Sequence, residues 1–108
     1  MKIVGRRATD LIKTGGYKVG AGEVEAALLE HAAVREAAVI GVPDDDLGER
    51  IVAFVVARSG ATPTADELAD HVAHLLAPHK RPRAVRVVPE LPRNAMGKVL
   101  KKQLAGSL

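Results

Sequence analysis

Two apolar runs constrain this chain more than anything else in it. Val34-Arg35-Glu36-Ala37-Ala38-Val39-Ile40-Gly41-Val42 becomes fully apolar toward its end, and Ile51-Val52-Ala53-Phe54-Val55-Val56-Ala57-Arg58 is apolar from its start. Both are rich in β-branched residues, which favour a pleated and buried backbone. Only Pro43-Asp44-Asp45-Asp46-Leu47-Gly48-Glu49-Arg50 lies between them. A connection that short forces neighbouring strands to pair antiparallel, because a parallel return needs a long crossover. The three consecutive aspartates of this turn invite comparison with a calcium loop. They lack the alternating ligands and the distant bidentate glutamate that calcium coordination uses.

The remaining elements arrange themselves around that pair. Leu11-Ile12-Lys13 reads as a short strand, and Thr14-Gly15-Gly16-Tyr17-Lys18-Val19-Gly20 as a glycine-rich loop. Gly15-Gly16 suits a plain hairpin turn and equally a backbone that approaches a ligand closely. Glu23 to His31 has helical spacing, with Val24, Ala27, Leu28 and His31 on one face. Its Glu23 and Glu25 suit the positive end of the helix dipole. Thr64 and Glu67 form a capping-box pattern for a helix reaching about Ala77, with Leu68, Val72, Leu75 and Leu76 inward and His71 and His74 on a solvated face. Pro78 stops that helix. Ala84-Val85-Arg86-Val87-Val88 predicts a third main strand, and Val99 to Leu104 a closing helix. The sum is one α+β domain: a small, mostly antiparallel sheet of three main strands, flanking helices and a leading hairpin. The opening Lys2-Ile3-Val4-Gly5 reads as a strand entered partway, as in a piece cut from a longer chain with an engineered start.

Bulk properties bound the function. The 108 residues suffice for one small core, and 47% hydrophobic content makes that core globular. Aromatics are only 2%, which leaves little to stack on bases, and a net charge of +3 is too small to imply nucleic acid. There is no cysteine, hence no disulfide and no thiolate metal site, which fits a cytoplasmic setting. No apolar run is long enough to cross a membrane as a helix.

The chemistry concentrates in Pro92-Arg93-Asn94-Ala95-Met96-Gly97-Lys98-Val99-Leu100-Lys101. Pro92 fixes its own φ and Gly97 permits angles that other residues avoid, so the loop is braced to present Lys98. An ammonium on a long stem is a point charge suited to phosphate or carboxylate oxygens. A phosphate-cradling P-loop is excluded, since Pro92 stands where the first glycine belongs and Val99 where the hydroxyl residue belongs. Spacing alone leaves open that Lys98 is one more solvated lysine beside Lys101 and Lys102.

Two motifs together resemble a known family. Gly5-Arg6-Arg7-Ala8-Thr9-Asp10-Leu11-Ile12-Lys13-Thr14-Gly15-Gly16-Tyr17-Lys18-Val19 resembles the hinge and glycine loop of adenylate-forming enzymes, and Pro92 to Lys101 resembles their terminal lysine motif. Val39-Ile40-Gly41-Val42-Pro43-Asp44, Gly48-Glu49 and Lys80-Arg81-Pro82 also fit that superfamily of acyl-CoA synthetases, peptide-synthetase adenylation domains and luciferases. The wording of the first motif is most similar to malonyl-CoA or methylmalonyl-CoA synthetases.

The resemblance implies that the chain is the mobile C-terminal domain of an AMP-forming acid–CoA ligase whose N-terminal domain is its partner. The substrates implied are ATP, CoA and a small dicarboxylate such as malonate or methylmalonate. Magnesium is implied in the full enzyme but not on this domain, and the isolated domain is expected to be inactive. Lys98 would be the catalytic residue of adenylation and an ATP contact. Arg7 would also contact ATP when counted back from Asp10, whereas counting forward from Gly5 selects Arg6. Thr9 and Asp10 would form the hinge. Gly15, Gly16, Tyr17 and Lys18 would line the pantetheine tunnel, with Lys18, Lys80 and Arg81 toward CoA phosphates. A protein acetyltransferase acting on Lys98 is a further implied partner. Two alternatives stand beside this reading: an adenylation domain that loads a carrier protein, and a free-standing basic module for RNA or DNA.

Overall fold

The computed structural model describes residues 11–106. Strand β1 (Leu11–Thr14) and strand β2 (Tyr17–Gly20) form a hairpin, followed by helix α1 (Ala21–Leu29). Strands β3 (Val34–Asp44) and β4 (Gly48–Ala57) are the long central pair, antiparallel as their short connection requires. Helix α2 (Ala65–Leu75) leads through a 3₁₀ turn at Pro78–Lys80 to strand β5 (Ala84–Val87), and helix α3 (Lys101–Gly106) follows.

These five strands make one sheet in the order β2-β1-β4-β3, with β5 also against β4. The leading hairpin is therefore part of the main sheet: β1 meets the start of β4 at Thr14–Gly48. Strand β5 runs parallel to β4 from Val52–Ala84 to Val55–Val87. Helix α2 supplies the long crossover that a parallel neighbour needs. The expected α+β architecture holds, and the residues 17–20 read as loop prove to be a strand.

Strand β4 is apolar at successive positions because both of its faces are covered. Ile51, Ala53 and Val55 join Val24, Leu28, Leu68 and Val72 beneath α1 and α2. Val52, Phe54 and Val56 join Ala38, Ile40, Leu91 and Leu104 on the opposite side, beneath α3. The β3 register shifts between Val34 and Glu36. One extra residue reverses the alternation, so Val34 packs on the helix side although Ala38 packs on the other.

Helix ends follow local chemistry. Thr64 accepts the Glu67 amide at 3.1 Å while the Glu67 side chain accepts the Thr64 amide, which closes the capping box. The helix stops at Leu75 rather than Ala77, because Pro78 holds Ala77 in an extended conformation. Leu75 is consequently exposed, whereas Leu68 and Val72 are buried. His31 lies beyond the end of α1, and its ring takes the Ala33 amide at Nδ1 and the Glu67 carboxylate at Nε2. His71, expected on a solvated face, is half-buried and donates from Nε2 to the Ala27 carbonyl at 2.8 Å. Glu25 acts beyond the helix dipole: its carboxylate accepts the Val39 amide at 2.8 Å and pairs with Lys101 at 2.9 Å, which ties α1, β3 and α3 together.

The β3–β4 connection is an aspartate turn. Asp44 Oδ1 accepts the amides of Asp46 and Leu47, both at 2.9 Å, and Gly48 takes φ 86°. Those amide bonds, chiefly from Leu47 and then Asp46, hold the Asp44 carboxyl below its ordinary value of 3.8. A carboxyl depressed on folding contributes stability above its unfolded value and loses it as pH falls through the folded value. Asp44→Ala is expected to lower the melting temperature at neutral pH and to narrow its gap from the unsubstituted chain below pH 3.8. Thermal melts across that pH range check this; a gap independent of pH would show that the charge is not involved.

Candidate functional site

The lysine loop is a small closed turn. Its stem pairs Arg93 with Val99, and the Leu100 amide donates to the Pro92 carbonyl at 2.8 Å. Asn94 organises the interior. Its amide donates to the Lys98 carbonyl at 2.9 Å, and its carbonyl accepts the Gly97 amide at 3.0 Å. Its side-chain Oδ1 accepts the amides of Met96 (2.9 Å) and Lys98 (3.0 Å). Gly97 has φ 84°, a conformation that a Cβ disfavours. Six residues are thereby held by hydrogen bonds that a short polar loop would otherwise give to water. Lys98 is exposed at the end of this turn, and its ammonium has no ion-pair partner among the described residues. Met96 stands beside it, 90% exposed.

The glycine turn is built differently. Gly15 and Gly16 have φ 58° and 85°. Positive φ at both central residues is what a tight two-residue hairpin demands. The Gly15 amide donates to the Leu47 carbonyl at 2.9 Å, so this turn leans on the aspartate turn. A Cβ on Gly16 would meet nothing within 4 Å, so its surface faces open space. Tyr17 stacks on His79 with ring centroids 4.0 Å apart. Beside them a cleft of about 440 Å³ is lined by Thr14, Gly15, Tyr17, Leu47, His79, Arg81 and Arg83, among others. Lys18 is exposed. Lys80 is bound to Glu23 at 2.8 Å, and Arg81 to Asp70 at 3.0 Å and Asp66 at 3.8 Å, so both are committed to ion pairs within the domain.

The two sites are not brought together. Arg93 anchors the lysine loop at Glu36, near the start of β3, whereas the glycine turn rests on Leu47, just beyond its end. The eight residue steps from Glu36 to Asp44 span about 26 Å at roughly 3.3 Å each. Arg7, Thr9 and Asp10 lie outside the described residues.

The sequence and fold of the chain match known proteins. The model of the family described as the AMP-binding enzyme C-terminal domain matches residues 23–98. The chain belongs to that family. Human mitochondrial malonate–CoA ligase is 48% identical over 94% of the chain, which covers 18% of that protein. The crystal structure of apo MatB from Rhodopseudomonas palustris superposes with a TM-score of 0.88 at 42% identity, covering 94% of this chain and 20% of that one. A malonyl-CoA ligase structure, described as a ternary product complex with methylmalonyl-CoA and AMP bound, is 67% identical over 80% of this chain and 19% of that one, with a TM-score of 0.71. The chain spans about a fifth of the length of the curated malonate–CoA ligases it matches.

Sequence reasoning located Lys98 and the glycine turn but missed the residues that hold them. Asn94 had a local signal, since asparagine before a glycine favours side-chain-capped turns. Glu36 and His79 had none, because their partners Arg93 and Tyr17 are far away in the sequence.

Proposed function

We propose that this domain serves an AMP-forming acyl-CoA synthetase acting on a small dicarboxylate, malonate or methylmalonate. In the first step the carboxylate attacks the α-phosphorus of ATP, giving an acyl-adenylate and releasing pyrophosphate. In the second the CoA thiol attacks the acyl carbon and AMP leaves. The observation that carries this reading is the presentation of Lys98: an exposed ammonium without an ion-pair partner among the described residues, on a loop closed by Asn94. Such a cation, brought to the carboxylate and phosphate oxygens, stabilises the negative charge that shifts during adenylation. The glycine turn at the other end of β3 serves the second step, where the absence of side chains leaves room for a pantetheine arm. Family membership and the malonate-directed relatives support the assignment, and they leave the nucleic-acid alternative without support.

Arg7 as an ATP contact, Thr9 and Asp10 as hinge, and Gly15, Gly16, Tyr17 and Lys18 as tunnel residues belong to the same reading. The N-terminal partner domain supplies the acyl pocket and the ligands of the magnesium that accompanies ATP. An acetyltransferase modifying the exposed Lys98 would remove its charge and silence adenylation. A cytoplasmic setting belongs here as well; the human relative is named mitochondrial, and fractionation of the host decides.

The two half-reactions test the proposal in the intact enzyme. Gly16→Val fills the open side of the turn and strains its backbone. It is expected to slow thioester formation from supplied acyl-adenylate about 10–100-fold, the scale of a misplaced reactant, while adenylation stays within about twofold. Gly16→Asn, which tolerates positive φ, separates strain from obstruction. Unchanged thioester formation in Gly16→Val would remove the tunnel assignment.

A further inference from the structure

Arg93 makes two contacts that no local feature of the lysine loop requires. Its Nη1 donates to the Gly97 carbonyl at 2.7 Å, on the peptide unit that joins Gly97 to Lys98. Its Nη2 donates to Glu36 Oε1 on β3, 57 residues away. One planar fork thus spans from the sheet to the residue preceding the lysine. The two donors are fixed relative to each other by the guanidinium plane, which a flexible ammonium cannot reproduce. Glu36 sits next to the register shift of β3, with Val56 and Val55 opposite Glu36 and Ala37. Arg35 Nε lies 3.9 Å from the other Glu36 oxygen, a looser contact.

Asn94 holds the loop closed on itself, but its bonds stay within the loop and do not fix the loop against the domain. Apart from the stem and the packing of Leu91, Val99 and Leu104, the described attachment of this turn to the sheet is the Arg93–Glu36 bridge. We propose that Glu36 and Arg93 are positioning residues for Lys98, setting the direction in which its ammonium leaves the domain. This rests on the role given to Lys98 above. Both side chains are partly exposed, Arg93 at 42% and Glu36 at 27%, so as a stabilising ion pair they are worth little. Their effect lies in aim: a catalytic group displaced by about 1 Å loses about 100-fold in rate.

The experiment uses the intact enzyme and measures the two half-reactions separately, with melting temperature as a third readout. Glu36→Gln and Arg93→Lys are expected to lower the adenylation kcat about 10–100-fold, leaving thioester formation from supplied acyl-adenylate within about twofold and the KM for ATP little changed. The charge swap Glu36→Arg with Arg93→Glu restores an ion pair but not the bond to the Gly97 carbonyl, since a carboxylate cannot donate. It is expected not to rescue. Lys98→Ala is run beside them. If it abolishes adenylation while Glu36→Gln and Arg93→Lys leave that step unchanged, the positioning role is overturned and the role of Lys98 stands. If both half-reactions fall together with the melting temperature, the pair is structural and the proposal fails. If Lys98→Ala itself leaves adenylation intact, the reading beneath the proposal falls and takes the pair's role with it.

Discussion

Lys98→Ala in the intact enzyme is expected to slow adenylation by about 10³-fold, ~4 kcal/mol in the barrier, the upper end of what a single preorganised donor supplies. The loop explains why the loss should be that large. The Asn94 side chain holds the Lys98 amide, the Asn94 amide holds the Lys98 carbonyl, and Gly97 adopts the one backbone angle that closes the turn. The ammonium therefore arrives with its backbone already ordered, and little reorganisation remains at the moment charge moves. Thioester formation from supplied acyl-adenylate is expected to survive, because the glycine turn lies at the far end of β3. Lys98→Arg keeps the charge but substitutes a wider planar group, so only partial recovery is expected. Pyrophosphate release and acyl-adenylate consumption, measured separately, check the split. Equal loss in both steps would mean that Lys98 supports the fold or the second step, and the functional proposal would fail.

The largest effect on stability is expected at Phe54. It is the single phenylalanine of the chain, 1% exposed, at the centre of the cluster beneath α3 with Leu91 and Leu104. Phe54→Ala is expected to cost about 3–5 kcal/mol, the transfer term plus the cavity left behind. Domains of this size hold about 5–15 kcal/mol in total, so the change removes a large part of it. At about 4–8 °C per kcal/mol the melting point should fall by roughly 12–40 °C. Phe54→Leu, which keeps most of the volume, should cost about 1.5 kcal/mol or less. Urea melts of the domain check both. A loss below about 1 kcal/mol in Phe54→Ala would mean that Leu91 and Leu104 collapse into the space, so that the cluster is plastic rather than packed.

What could be read in advance follows the range of each interaction. The β3–β4 pair was legible because a short turn between two β-branched runs leaves one way to pair. The capping box was legible because its two residues are three apart. Strand β2 was only half legible: Gly15-Gly16 signalled a hairpin turn, but Tyr17-Lys18-Val19-Gly20 is four residues long and ends in a glycine that extends the loop signal. The inward assignment of Leu75 failed because its helix ends before Pro78, earlier than periodicity suggests, whereas His31, though past the helix end at Glu30, is largely buried against His71. The solvated assignment of His71 failed because its partner, the Ala27 carbonyl, is 44 residues away. The lysine loop itself was visible in its proline, glycine and lysine, but its attachment through Glu36 was not. Arg81 looked like a free cation by composition, and only folding brings Asp66 and Asp70 beside it.

The distance between the two ends of β3 has a chemical consequence. An acyl-adenylate is a mixed anhydride, and any neutral amine resting near it competes with the thiol for its acyl group. The product of that side reaction is an amide, whose acyl group a thiol does not readily take back. When the domain turns its glycine end to the intermediate for the second step, as the tunnel role proposed for Gly15, Gly16, Tyr17 and Lys18 requires, the Lys98 amine is carried at the opposite end of β3 and the Lys18 amine stays near the turn. On that reading the sheet is a spacer that keeps the Lys98 amine away from the acyl group during the second step.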